Sequence, residues 1–355
     1  MATWMIYGAY GYTGTLLAEE AVRRGHRPLL AGRSEAKLKP LAQKLDLPYC
    51  AFDLKHMREL VCNTAEVQIV LHAAGPFIQT AAPMRRACIE THTHYLDITG
   101  EYPVFADTFA DDHKAKTARV ALISGVGFDV VPTDCLARYV ADQVPDADRL
   151  EIAFAAIDQA SGGTARSGLE LLSQGGRVRR DGELAPYRIG KGPRLVRFPD
   201  RARTVLPIPW GDLVTAYHTT GIPNITTMMA FPRTQALLVS LTGFMLPALL
   251  RIDLMRNALR WLSNRVSHGP DEQFREIGRS YVWAKASAPG GKSAEAWLAS
   301  SECYKFTVDA AIRAVERLLA MDPIPTGALT PAQAFGADFV LDMPDTTRYD
   351  SLPGR

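Results

Sequence analysis

An apolar run that leads into three evenly spaced glycines constrains the fold of this chain more than any other feature. Trp4–Tyr7 precede Gly8, Gly11 and Gly14, and an amphipathic helix is predicted directly afterwards. A buried strand that turns into a helix in this way directs backbone N–H groups and the positive end of the helix dipole at one spot. Gly8 permits the tight turn, Gly11 allows close backbone approach, and Gly14 lets the helix pack on the strand. The pattern predicts a site for a dinucleotide pyrophosphate, lined by Gly8, Tyr10, Gly11, Tyr12, Thr13 and Gly14.

The end of the second predicted strand indicates which dinucleotide is bound. Pro28–Ala31 is followed by Gly32, Arg33 and Ser34, and no carboxylate stands at the strand end. An acidic residue there would accept the ribose 2′-OH of NAD, whereas a basic residue suits a 2′-phosphate. Arg33 and Ser34 therefore favour NADP(H), and Ser34 is also expected to cap the helix that follows. The alternative is that Arg33 is a solvated turn residue.

Short apolar runs alternate with helical patterns through the first 135 residues, which predicts an α/β fold, a Rossmann doubly wound parallel sheet. Strands are expected at 3–7, 28–31, 49–52, 67–73, 94–97 and 120–124. Later segments carry hairpin signals, such as Pro289-Gly290-Gly291 between two strand-like runs. We therefore predict a nucleotide-binding domain over 1–135 and an α+β substrate or oligomerisation domain, with a largely antiparallel mixed sheet, over 136–326. The segment 327–343 is expected to return to the first domain.

The composition excludes several function classes. Apolar residues make up 47% and charged residues 22% of the 355 residues, as in ordinary globular proteins. A net charge of +2 argues against a general nucleic-acid binder. Five scattered cysteines and the lack of a signal-peptide pattern favour a reducing cytoplasm. His92 and His94 have no third ligand at a regular spacing, so no metal site is expected.

An uncharged segment, 234–250, lies between Arg233 and Arg251. As a helix it would be roughly 25 Å long, too short for the ~30 Å hydrocarbon core of a membrane. We favour a helix that is buried or lies at a subunit interface, which leaves a homodimer open. A lid over an apolar substrate and a peripheral membrane contact are the less favoured alternatives.

Further candidate site residues follow the predicted strands of the first domain. Asp53 could accept a hydrogen bond from the adenine amine, or cap a helix from Lys55. The small residues Ala74, Gly75 and Pro76 are expected to form a wall beside the nicotinamide ribose. The acidic residues Asp97 and Glu101 lie on the rim where ligands of such sheets bind, so they are candidates for substrate polarisation or protonation, with Tyr95 as another proton donor. The alternative for Glu101 is a cap on the helix from Tyr102.

A basic stretch in the second half of the chain is a separate candidate. Arg177–Arg203 contains nine lysines and arginines but only three acidic residues. It could receive a phosphate or a carboxylate, although solvated loops are the interpretation that we favour.

Taken together, these motifs resemble those of the saccharopine dehydrogenase-like NADP-binding family, which includes trans-acting enoyl reductases and saccharopine dehydrogenase-like oxidoreductases. The resemblance rests on Gly8–Gly14, Ala31–Ser34, Ala74–Phe77, Tyr95–Glu101 and Gly127–Asp129, and continues through Ser161–Ala165, Pro209–Asp212 and Ala334–Ala337. It implies a Rossmann domain joined to a mixed-sheet domain, with the active site in the cleft between them. It supplies no universal catalytic residue.

The resemblance also implies an activity. We expect an NADPH-dependent oxidoreductase that reduces a C=C or C=N bond of a small hydrophobic or acyl substrate. One alternative is a regulatory protein that senses NADP without turnover. The other is a saccharopine-type reductase that acts on an amino-acid imine.

Overall fold

The computed structural model describes residues 3–156, 175–245 and 269–352. The chain divides into two compact units, each made of two segments. The first unit comprises Met1–Asp129 and Phe306–Phe335, and the second comprises Val130–Lys305 and Gly336–Arg355. The return to the first unit thus begins at Phe306, well before the predicted residue 327, and ends at Phe335.

The first unit is built on a seven-stranded parallel sheet. Its strands are β1 (Trp4–Tyr7), β2 (Leu29–Gly32), β3 (Tyr49–Ala51), β4 (Ile69–His72), β5 (His94–Asp97), β6 (Ala121–Ile123) and β15 (Gly327–Leu329). They lie in the order β15-β6-β5-β4-β1-β2-β3, and each neighbouring pair is parallel. Strands β1 and β4 are buried along their whole length, as expected for a parallel sheet covered on both faces. The predicted Rossmann architecture is confirmed.

Helices follow the strands of this sheet. They are α1 (Tyr12–Arg23), α2 (Glu35–Leu45), α3 (Met57–Thr64), α4 (Phe77–Glu90), α5 (Tyr102–Ala110), α6 (Asp112–Ala118), α11 (Cys303–Ala320) and α12 (Pro331–Phe335). The helix expected from Tyr102 ends at Ala110, and after Asp111 the chain continues as the separate helix α6. The Asp111 carboxylate there accepts hydrogen bonds from the Arg85 guanidinium, at 3.0 and 3.1 Å, and from the Lys114 ammonium.

The second unit contains a nine-stranded mixed sheet. Its strands are β7 (Arg149–Ala155), β8 (Gly176–Arg180), β9 (Glu183–Tyr187), β10 (Arg194–Arg197), β11 (Ala202–Pro207), β12 (Asn224–Phe231), β13 (Arg279–Ser287), β14 (Ser293–Ser301) and β16 (Thr347–Tyr349). The main order is β10-β11-β12-β7-β13-β14-β16, and β8 pairs with both β12 and β9. Within the described residues, only β12 and β7 pair in parallel, so the sheet is largely antiparallel, as predicted.

Four described helices accompany this sheet. They are α7 (Val131–Asp142), α8 (Thr215–Thr220), α9 (Arg233–Thr242) and α10 (Glu272–Ile277). The predicted hairpin is present as β13 and β14. The motif Ser161–Ala165 and the end of the apolar segment 234–250 lie outside the described residues.

In the described part of the apolar segment, residues 234–245, most of the large apolar side chains are exposed. Leu237, Leu238 and Leu241 on α9 are 63%, 61% and 64% exposed, whereas the small residues Ala236 and Gly243 are buried. The helix therefore packs on its own unit through small side chains and turns its large apolar side chains outward. Among the described residues, no helix is both long enough and apolar enough to cross a membrane.

Candidate functional site

The turn between β1 and α1 is packed so closely that two of its glycines have no room for a side chain. Gly8 has a φ of +92°, and a Cβ on it would lie 2.8 Å from the Cβ of Ala74. A Cβ on Gly14 would lie 2.1 Å from the carbonyl oxygen of Gly8. Gly11 occupies the N-cap position of α1 and brings no capping side chain. The helix N-terminus is thus shaped to receive a phosphate.

The end of β2 brings together an aromatic ring, two cations and a hydroxyl. The Tyr10 ring packs over Gly32, where a Cβ would lie 2.7 Å from the ring. The Lys37 ammonium nitrogen lies 5.7 Å from the centroid of the same ring. Arg33 is exposed, and Ser34 is the N-cap residue of α2 but its side chain makes no capping bond, contrary to expectation. These groups fit a 2′-phosphate. Lys37 was not among the residues predicted from the sequence, although it lies in the first turn of α2, four residues after Arg33.

Asp53 lies beside this strand end, but it does not cap a helix. Its Oδ1 accepts the backbone N–H of Lys55 at 3.0 Å in a local turn, and α3 begins only at Met57. Burial and the nearby Asp53 charge both raise the pKa of Tyr7, whose hydroxyl donates to the Phe52 carbonyl at 3.1 Å. The expected helix cap from Lys55 is therefore wrong, and the contact with adenine stays a prediction.

The loop Ala74–Pro76 after β4 lies against the glycine turn. The Ala74 carbonyl oxygen accepts the Thr80 hydroxyl at 2.6 Å and lies 3.2 Å from Nε2 of His72. His72 is fully buried, and burial lowers its pKa to about 4, so the ring is neutral near pH 7. The small residues remain the proposed cofactor wall, and His72 supports the loop rather than acting as an acid.

Asp97 and Tyr95 hold neighbouring strands together. The Asp97 carboxylate accepts the hydroxyls of Tyr95 and Ser124 at 2.9 and 2.8 Å. It also accepts the backbone N–H groups of Thr99 and Gly125, at 3.0 and 2.9 Å. Both Asp97 and Tyr95 are fully buried. This geometry gives both residues a structural role at the ends of β5 and β6, and the catalytic role expected from the sequence stays a prediction.

Glu101 caps a helix, but not the helix that the sequence suggested. Its carboxylate accepts the backbone N–H groups of Phe77 and Ile78, at 3.0 and 2.8 Å, and so caps α4 rather than α5. The capped turn follows directly after the small-residue loop Ala74–Pro76. Glu101 therefore fixes the position of that loop and places a negative charge beside it.

Asp129 is a second, partly exposed carboxyl group close to Glu101. Its Oδ2 would lie 2.6 Å from a Cβ on Gly100, so the carboxyl packs directly on the backbone that leads into Glu101. Burial, and then the Glu101 charge, raise the pKa of Asp129 to about 7. A carboxyl group with such a pKa can hold and release a proton near neutral pH.

Helix α11 helps to position the loop that carries Asp129. The backbone N–H of Phe128 donates to the Thr307 hydroxyl at 3.0 Å, and the Phe128 ring contacts that of Phe306 edge-on at 5.7 Å. In the sequence, Asp129 stood out only as the end of the motif Gly127–Asp129 and was not among the predicted site residues. Strands β5 and β6 are neighbours in the parallel sheet, so the loops that follow them lie side by side. This adjacency is the signal that could have placed Asp129 near Glu101.

His92 and His94 make contacts with the backbone. Nδ1 of His92 lies 2.8 Å from the Ala118 carbonyl oxygen, and Nδ1 of His94 accepts the Ala121 N–H at 3.0 Å. In the part of the chain that the structure describes, no group of three potential ligands could hold a metal ion.

Comparisons with known proteins agree with this geometry. Residues 4–123 match the family model of the saccharopine dehydrogenase NADP binding domain. A trans-acting enoyl reductase of Mycobacterium tuberculosis is 33% identical over 138 residues, which are 37% of this chain and 33% of that protein. A putative trans-acting enoyl reductase of the same species is 32% identical over 184 residues, covering 48% of this chain and 44% of that protein. The matches thus span less than half of these relatives.

One solved structure shares the fold along nearly the whole chain. Saccharopine dehydrogenase (L-Glu forming) from Saccharomyces cerevisiae has a TM-score of 0.64 over 96% of both chains, at 12% sequence identity. Residues 4–123, which include the glycine turn, match an NADP binding domain, so the cofactor of this chain is NADP(H).

Proposed function

We propose that this chain, whose residues 4–123 match the saccharopine dehydrogenase NADP binding domain, is an NADPH-dependent reductase of a C=C or C=N bond. The observation that carries the proposal is the position of the Asp129 carboxyl group, which packs on Gly100 in the loop after β5, at the same sheet edge as the nucleotide turn. Its raised pKa, about 7, is in keeping with a proton donor. A hydride donor and a proton donor are the two agents that such a reduction needs. The relatives named enoyl reductase support the C=C form of the reaction.

Residues of the first unit would contact the nucleotide along its whole length. The turn Gly8–Gly14 would bind the pyrophosphate at the N-terminus of α1. Arg33, Ser34 and Lys37 would bind the 2′-phosphate, and Asp53 would lie beside the adenine. The loop Ala74–Pro76 would support the nicotinamide ribose, because its small residues let a ligand approach the backbone closely.

Asp129 would supply the proton. When bound, the reduced nicotinamide supplies a hydride, and the chemistry of that transfer belongs to the cofactor. Because its pKa is raised to about 7, the Asp129 carboxyl group would hold a proton at a pH where an ordinary carboxyl group has lost it, which suits a general acid. Glu101 would act as a positioning residue, since its fixed charge keeps the Asp129 proton bound at a pH where an ordinary carboxyl group has lost it.

We further propose that the substrate is a hydrophobic or acyl compound. It is supported by the outward-facing leucines of α9 in the second unit, which offer an apolar surface. The cytoplasm is the proposed compartment, in keeping with five cysteines that are all free.

The experiment that tests this function follows the absorbance of NADPH with purified protein and two substrate sets. One set contains enoyl thioesters of increasing chain length, and the other contains imines formed from amino acids and oxo acids. Oxidation of NADPH by one set, with the saturated product detected, supports the proposal and selects the bond type. Tight NADPH binding without oxidation by either set would contradict it and favour the NADP-sensing protein.

A further inference from the structure

Helix α9 and the short helical turn after it, Gly243–Met245, present an exposed apolar face in the second unit. Its large side chains are between 48% and 64% exposed, and they are Leu237, Leu238, Leu241, Phe244 and Met245. Spacings of three and four residues place these side chains on one side of a helix. We call these five side chains the α9 face.

Two arginines lie beside the α9 face. The guanidinium carbon of Arg188 lies 4.8 Å from the centroid of the Phe244 ring. Arg233 is the first residue of α9 and precedes Leu237 by one helical turn, so the two side chains share one side of the helix. Both arginines are exposed. Cationic groups therefore stand at each end of the α9 face.

The turn after Arg188 brings a third cation to the same place. A Cβ on Gly190 would lie 2.1 Å from the Val239 carbonyl oxygen, and a Cβ on Gly243 would lie 2.9 Å from the Ile189 side chain. This turn therefore packs directly on α9. Lys191, the next residue of the turn, is exposed. Its ammonium group adds to the positive charge beside the α9 face.

The two segments that form this surface contain no acidic residue. No aspartate or glutamate occurs between Glu183 and Asp200, or between Asp212 and Asp253. The cations beside the α9 face therefore have no carboxylate of their own segments to neutralise them. The surface combines exposed apolar side chains with uncompensated positive charge from these segments.

Arg188 and Lys191 belong to the basic stretch Arg177–Arg203, which is not used as one patch. Arg179 donates to the Leu213 carbonyl at 2.6 Å, and Arg203 pairs with Asp200 at 2.6 Å. These two arginines serve the unit itself. The interpretation of solvated residues applies to Arg188 and Lys191, which are exposed.

The charges distinguish between two kinds of occupant for the α9 face. In a two-fold dimer, the same patch of two copies meets itself. The cations of one copy would then approach those of the other, and these segments supply no carboxylate to pair with them. An anionic lipid surface supplies the missing negative charge and also accepts the apolar side chains.

We propose that the α9 face, with Arg188, Lys191 and Arg233, binds the surface of an anionic lipid membrane. The helix lies along the surface, its apolar side chains enter the boundary between headgroups and acyl chains, and the cations contact the anionic headgroups. This is the peripheral contact that was the less favoured alternative for the segment 234–250. The proposal concerns the second unit alone and does not depend on the reductase activity.

Co-sedimentation of the whole chain with vesicles tests this proposal. Vesicles of equal parts phosphatidylglycerol and phosphatidylcholine are compared with vesicles of phosphatidylcholine alone. The wild type should bind the anionic vesicles about tenfold or more tightly than the neutral ones, because three cations lie near the lipid surface. Added salt should weaken binding to the anionic vesicles, since it screens these charges.

Leu238→Asp removes an apolar side chain from the α9 face and adds a negative charge. Leu238 is 61% exposed, so the fold should be kept, whereas binding to the anionic vesicles should weaken by about tenfold or more. Ile277→Asp is the matched control, because Ile277 is 70% exposed at the end of α10, outside the α9 face. This control should keep its affinity to within about threefold.

Arg188→Gln and Arg233→Gln test the contribution of charge. Each should weaken binding to the anionic vesicles by roughly fivefold and leave binding to the neutral vesicles unchanged. Equal losses on both kinds of vesicle would contradict the role of the cations.

Three further outcomes would overturn the proposal. They are no sedimentation with the anionic vesicles, equal binding to both kinds of vesicle, and wild-type binding by a folded Leu238→Asp variant. A dimer in light scattering that Leu238→Asp dissociates would assign the α9 face to a second copy instead. The comparison of the two vesicle types uses only the wild type, so it decides the matter even if a variant fails to fold.

Discussion

At the residue scale, the candidate site depends on a few side chains whose surroundings change their chemistry. Asp97 is fully buried, whereas Asp129 is partly exposed. Asp97 accepts four hydrogen bonds that connect two strand ends, and burial raises its pKa. Partial burial, and then the charge of Glu101, raise the pKa of Asp129 to about 7. Position on the sheet edge alone therefore does not decide the chemistry of a carboxyl group.

Replacing Asp129 by asparagine tests its role as the acid. If Asp129 donates the proton, the enzyme is active with Asp129 protonated. The reduction rate of the wild type should therefore fall as the pH rises through about 7. Asp129→Asn should lower kcat by about 10²–10⁴-fold and remove that pH dependence. The measurement is a pH profile of kcat with NADPH and a competent substrate. A variant with the wild-type profile would show that another group donates the proton.

Arg33→Ala tests the 2′-phosphate site. Loss of the guanidinium should weaken NADPH binding by about 10–100-fold and leave NADH binding nearly unchanged. Fluorescence titration with each nucleotide gives both dissociation constants, and Lys292→Ala on the β13–β14 hairpin of the second unit serves as a control. An equal loss for NADPH and NADH would contradict the assignment.

At the element scale, α1 and α4 are the helices whose first turns would shape the proposed nucleotide site. The N-terminus of α1 has only a glycine at its cap, whereas that of α4 is capped by Glu101 from the loop after β5. The open helix end suits an anion, and the capped one fixes the loop that would support the nicotinamide.

Glu101→Gln should affect both the helix and the acid. Weaker capping of α4 should lower the free energy of unfolding by about 1 kcal/mol. Removal of the charge should also lower the pKa of Asp129, since Glu101 is one of the two causes that raise it. The midpoint of the pH–rate profile should therefore move to lower pH. An unchanged midpoint would show that burial alone sets the pKa of Asp129.

Gly14→Ala tests the close packing of α1 on β1. The added Cβ would lie 2.1 Å from the Gly8 carbonyl oxygen, so the helix must shift and NADPH binding should be lost, with destabilisation of more than about 2 kcal/mol. Gly290→Ala is the matched control, because a Cβ there has no atom within 4 Å in the described structure. Chemical denaturation of both variants measures the difference. Equal stability of the two would contradict the packing argument.

At the scale of the whole molecule, the sequence predicted local features better than distant ones. The strands of the first sheet follow from short apolar runs, and β5 is found at the predicted His94–Asp97. The glycine turn and Arg33 follow from spacing along a short segment. The break at Asp111 was not predictable, because it depends on Arg85, which is 26 residues away in the chain. The Asp129 site was missed for the same reason, since its acidity depends on burial and on Glu101 from another loop.

The central claim, that the chain reduces a double bond with a hydride from NADPH and a proton from Asp129, can be tested with isotopes. The protein is incubated with a competent substrate and NADPH that carries deuterium at the transferable position, and the product is analysed by mass spectrometry. In ordinary water, the product should contain one deuterium atom from the cofactor. With unlabelled NADPH in heavy water, the product of a C=C reduction should contain one carbon-bound deuterium from solvent, whereas a nitrogen-bound deuterium exchanges with water and is not counted. Asp129→Asn should form this product far more slowly. Oxidation of NADPH without deuterium in the product, or no product from any substrate at saturating NADPH, would contradict the claim.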